Sequence, residues 1–170
     1  MLADAWQIRV PIYYSVFIPL QLLALWRGAS PERCVVGVNV GMVVVDRLYH
    51  LAIGGPVHFA IFDIGHFLID LAAFAALSAV ALKANRFYPI CLAAIQLLAV
   101  TSHIVRAINP AVGGLVYAIL ILAPSYLLTA VFGAGMAWHL LHRRQRAGTP
   151  SWLTSSGHLP VKRPGMSQDG

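Results

Sequence analysis

The sequence predicts an all-α protein, a polytopic transmembrane helical bundle of about five membrane-spanning helices with short loops. Three observations carry that prediction. Hydrophobic residues make up 59% of the chain and charged residues 11%, with a mean hydropathy of +0.74, far from the composition of a soluble domain. The apolar residues fall into five continuous runs, each near the ~20 residues that a helical span requires. Those runs do not alternate apolar with polar positions, which sets the transmembrane β-barrel aside. A chain of 170 residues leaves no room for a large soluble domain beside five spans.

The first span is expected over about 10–26, with Pro11 in its first turn and Pro19 inside it. Asp4 and Arg9 precede it without a basic n-region, and no clear A-x-A site follows, so it reads as a retained helix rather than a signal peptide. The second span runs over about 34–53 after Ser30-Pro31-Glu32, a plausible helix start, and contains Gly37 and Gly41 as a GxxxG that would admit a close helix contact. Gly54-Gly55-Pro56 makes a turn into the third span, about 58–82, which Lys83-Ala84-Asn85-Arg86 closes. The fourth covers about 87–108 and stops at Asn109-Pro110; the fifth covers about 115–141 and carries Pro124. Residues 1–146 are thus the bundle, and 147–170, rich in Gly, Ser, Pro and Thr, are expected to be a disordered cytoplasmic tail.

Five spans place the termini on opposite sides of the bilayer. Arg27, Arg33, Lys83, Arg86, Arg143, Arg144, Arg146, Lys162 and Arg163 all belong to one side, against Arg9 and Arg106 on the other. The excess predicts a cytoplasmic C-terminus and an external N-terminus, as in a bacterial inner membrane. The net charge of +6 is explained by these anchors to an anionic leaflet, so no nucleic-acid partner is implied. The lipid bilayer is the implied partner, with other membrane subunits or self-association open. Cys34 and Cys91 have no metal-type spacing and read as small buried hydrophobes.

The functional signal lies in the polar residues at membrane depth. Asp63, His66 and Asp70 fall on one face of the third span, Asn39, Asp46 and His50 on one face of the second, and Gln96, His103 and Arg106 on one face of the fourth. A helix starting at His58 puts Asp70 near the midplane, about 18 Å in. With the orientation above, Asp46, Arg47, His50, Asp63, His66, Asp70, His103 and Arg106 share the outer leaflet and make the candidate ligand- or ion-binding set. Ionisable groups at that depth persist where they pair, line a cavity or do chemistry.

Several readings fit that set. A polar cavity that binds or translocates a small molecule or ion needs titratable groups at increasing depth, which Asp63, His66 and Asp70 supply. A metal-dependent membrane enzyme would draw ligands from His50, His66, His103 and Asp63, with Asp46 or Asp63 as orienter or base. Haem or a pigment between His66 and His103 would fit an accessory subunit of a larger complex. A salt-bridge network that fixes helix register is the structural alternative. No P-loop, GxGxxG, GxSxG or CxxC motif is present.

Overall fold

The computed structural model describes residues 2–53, 63–109, 114–142 and 150–153. Five α-helices follow in chain order: α1 Leu2–Arg27, α2 Ser30–Ile53, α3 Ile64–Lys83, α4 Tyr88–Ile108 and α5 Gly114–Leu141. Each is long and apolar enough to cross a membrane, and the chain is an integral membrane protein. Two residues join α1 to α2 and four join α3 to α4, so those pairs run antiparallel. Contacts link α1 to α2, α2 to α3, α3 to α4, α4 to α5 and α5 back to α1, which closes a ring. In it α4 is the best covered of the five, 39% of its span being buried against 17% of α1.

Lipid tails are as apolar as the helices, so shape-matched packing rather than water exclusion holds the ring together. Val35 and Val36 of α2, Leu77 and Val80 of α3, Leu92 of α4, and Leu128, Phe132 and Met136 of α5 form the packed centre. Large apolar residues such as Leu51, Leu82, Leu115 and Leu141 point outward, where the acyl chains take them up.

The layer is bounded by polar groups at both ends. Asp46, Asp63, His66, Asp70 and His103 lie toward one end, called the histidine end. Glu32, Arg86 and His139 lie at the other, the Glu32 end.

Two span boundaries differ from the sequence reading for identifiable reasons. α1 begins at Leu2, ahead of the expected Val10, because nothing between Asp4 and Arg9 breaks a helix. α3 begins at Ile64 because Asp63 is its N-cap: the backbone is extended there (φ −107°, ψ 107°), and the carboxylate accepts from the Gly65 and His66 N–H groups. Asp63 is therefore not on a helical face with His66 and Asp70. Counted from Ile64, Asp70 lies only about 9 Å along the helix. His58 and the Gly54-Gly55-Pro56 turn fall outside the described residues.

Three smaller expectations also change. Among the described residues, a Cβ built on Gly37 or Gly41 meets nothing within 4 Å, so none of the five helices packs on the GxxxG. Cys34 is exposed. Inside the segment expected to be an unstructured tail, Ser151–Leu153 runs back along the α3–α4 connection. Ala84 and Trp152 form an antiparallel bridge, Asn85 N–H donates to Ser151 O at 3.0 Å, and Leu153 N–H donates to Lys83 O at 2.7 Å. Trp152 packs on the apolar centre.

Candidate functional site

The last turns of α2 present Asp46, Tyr49 and His50 at i, i+3 and i+4, one face directed at the start of α3. There His66 Nε2 sits 3.2 Å from His50 Nε2 and 3.2 Å from Asp46 Oδ1, while His50 Nε2 is 3.7 Å from the same Asp46 oxygen. These three atoms make a nearly equilateral triangle. A tetrahedral metal with bonds of about 2.0–2.1 Å has ligands about 3.3–3.4 Å apart, so the triangle has the dimensions of one face of such a polyhedron. All three residues are partly buried.

Behind the triangle, the other nitrogen of His66 faces a second carboxylate. Asp63 Oδ2 lies 2.8 Å from His66 Nδ1, at a bent angle rather than in line with the N–H. Carboxylate, imidazole and an open metal face in sequence are the arrangement that fixes ring orientation in metal sites. Asp63 is itself held: Tyr49 Oη donates to its Oδ1 at 2.7 Å, Gly65 N–H at 2.9 Å and His66 N–H at 3.3 Å. Burial pushes the Asp63 carboxyl up, but the Tyr49 and His66 hydrogen bonds outweigh it and hold the group below the usual carboxylate range. A Cβ on Gly65 would overlap the Tyr49 ring and displace its hydroxyl from Asp63.

A second cluster lies deeper, among α3, α4 and α5. Asp70 Oδ2 is 3.0 Å from His103 Nε2, Tyr117 Oη is 2.9 Å from His103 Nδ1, and Gln96 Nε2 donates to Asp70 Oδ1 at 2.9 Å. A carboxylate only accepts, so these partners fit His103 with Nε2–H donating to Asp70 and Nδ1 accepting the Tyr117 hydroxyl. His103 and Gln96 are both fully enclosed. Tyr117 lies within electrostatic reach of both Asp63 and Asp70 and stands between the two clusters. Arg106, also buried, places its guanidinium 5.5 Å from the centre of the Tyr117 ring.

The eight residues singled out from the sequence thus separate. Asp46, His50, His66 and Asp63 come together; Asp70 and His103 meet one layer below, while Arg106, one turn nearer the histidine end than His103, lies over the Tyr117 ring. Arg47 does neither: it is exposed, and its Nη2 donates to Tyr14 Oη on α1 at 3.2 Å, because the next residue along a helix points about 100° away. Among the named metal candidates, His103 stands with Asp70 rather than with His50 and His66, and Asp63 stands behind His66 rather than beside the other donors. Sequence reasoning passed over Tyr49 and Tyr117 as site residues. Their signal was position, one residue before His50 and at the start of the fifth span, but an aromatic inside an apolar run reads as packing.

No family model, curated protein or solved structure matches this chain.

Proposed function

We propose that this integral membrane protein binds one divalent first-row transition-metal ion through Asp46, His50 and His66, with Asp63 orienting His66. The observation that supports it is the triangle of donor atoms with edges of 3.2, 3.2 and 3.7 Å. One carboxylate and two imidazoles suit borderline cations such as zinc or ferrous iron. Three protein donors leave a coordination position free for an external ligand, as in sites that exchange or activate what they bind. A metal there would supply Lewis acidity to that ligand.

Binding is favoured over passage through the bundle, because Leu77, Leu92, Phe132 and Met136, each at most 1% exposed, fill the level below the polar clusters. Metal is favoured over haem, because both nitrogens of His103 are already taken by Asp70 and Tyr117. The loop charges support an external histidine end and a cytoplasmic C-terminus. On that orientation the ion arrives from outside the cell.

The test is zinc titration of the purified protein in detergent, by calorimetry and metal analysis. The expected result is one equivalent per chain, with His50→Ala, His66→Ala and Asp46→Ala each weakening binding at least about tenfold. Variants that bind as the parent does would overturn the assignment. For orientation, Asn85→Cys in a chain also carrying Cys34→Ser and Cys91→Ser should react with an impermeant maleimide only from the cytoplasmic face.

A further inference from the structure

At the end opposite the metal candidate, Glu32 of α2 is completely buried. Its Oε2 accepts the Ala29 N–H at 3.0 Å; its Oε1 has no hydrogen bond. Two groups approach that oxygen without closing on it, Arg86 Nε at 3.6 Å and His139 Nδ1 at 3.9 Å. The same His139 nitrogen lies 3.5 Å from Arg86 Nη2. Arg86 Nε and Nη1 are enclosed without hydrogen bonds, and the Tyr88 hydroxyl, also enclosed, faces the Glu32 carboxylate.

One nitrogen therefore faces a donor and an acceptor at once. With a lone pair on Nδ1, His139 accepts from the Arg86 guanidinium. With a proton there, it repels Arg86 and donates to Glu32 Oε1, the oxygen Arg86 was approaching. Neither arrangement satisfies all three groups. We propose that Glu32, Arg86 and His139 form a proton-binding site in which protonation of His139 transfers it from Arg86 to Glu32.

The groups shown against His139 among the described residues are these two; of the other titratable groups nearby, Tyr88 of α4 faces Glu32 and His142, one turn on, stacks on Trp138. Glu32 is pinned by its cap on Ala29, so the mobile partner is Arg86. The connection that carries Arg86 is clasped by Ser151–Leu153 through the backbone of Lys83 and Asn85.

The test uses the full chain with 15N-labelled histidine in nanodiscs, with a chelator present so that the metal candidate plays no part. The His139 nitrogen signals are followed from about pH 5 to 8, where imidazoles ordinarily titrate. Nδ1 is expected to change from unprotonated to protonated as pH falls. Glu32→Gln removes the acceptor and should lower the midpoint by about one pH unit; Arg86→Gln removes the repulsion and should raise it by about as much. Arg86→Lys keeps the charge and should stay near the parent midpoint, which separates an electrostatic effect from damaged packing. Midpoints that do not move, or that move the same way in both neutral variants, overturn the proposal.

Discussion

Asp63→Asn separates the two tasks that Asp63 performs. The asparagine oxygen can still accept from Gly65 N–H, His66 N–H and Tyr49, the three contacts now made by Oδ1, so α3 keeps its cap. The change falls on the other atom: an NH2 group replaces Oδ2, which lies 2.8 Å from His66 Nδ1. A donor there requires a lone pair on Nδ1 and sends the ring proton to Nε2, the atom that faces His50 and Asp46. Loss of a carboxylate behind a metal-binding histidine weakens affinity by about 10- to 100-fold, or about 1.4–2.7 kcal/mol. Folding stability should change by less than about 0.5 kcal/mol, since asparagine caps as well as aspartate. Asp63→Ala, by contrast, loses the cap, at a cost of roughly 1–2 kcal/mol, and releases the Tyr49 hydroxyl to solvent. Zinc calorimetry and thermal unfolding of both variants in the same detergent test the argument. An Asp63→Asn protein that binds zinc like the parent, or unfolds as early as Asp63→Ala, refutes it.

Other perturbations address the neighbouring features. Asp70→Ala leaves His103 Nε2–H without its partner in a closed space, while Gln96 Nε2 keeps only the backbone carbonyl of residue 70, and should destabilise the bundle by about 1–3 kcal/mol in denaturant titrations, with zinc affinity unchanged because the donors lie on another cluster. Gly65→Ala pushes the Tyr49 ring aside; a loss of about 1–3 kcal/mol in unfolding measurements is expected, accompanied by weaker zinc binding. The Asp63 carboxyl is held below its ordinary value of 3.8, so its contribution to stability is complete above that pH and disappears as pH falls through the lower folded-state value. Amide exchange at Gly65 and His66, corrected for intrinsic rates, should therefore gain protection factors between acid and pH 5, and Asp63→Asn should remove that dependence.

The five helices were legible because hydropathy and length determine what can cross a bilayer, and neither depends on tertiary contacts. The site was legible only in part. Helical spacing places Asp46 and His50 on one face, and it also keeps Arg47 off that face, but it does not say which neighbouring helix that face meets. Aligning three faces at one level therefore merged two clusters that are separated by a layer. The error at α3 has another source: Asp63 lies in an apolar context on both sides, and periodicity alone does not distinguish the first helical residue from a side chain folding back on the helix end. Glu32 read only as part of a helix start because its partners, Arg86 and His139, are more than fifty residues away in the chain, where local pattern carries no information.

The apolar layer of Leu77, Leu92, Phe132 and Met136 also has an electrical consequence. A voltage across a membrane drops where the medium is least polarisable, and here that is the closely packed layer between the two polar ends. An ion seated against Asp46, His50 and His66 has crossed little of that drop, so its affinity should be nearly independent of membrane potential. A charge moved from the histidine end to Glu32 would cross almost all of it.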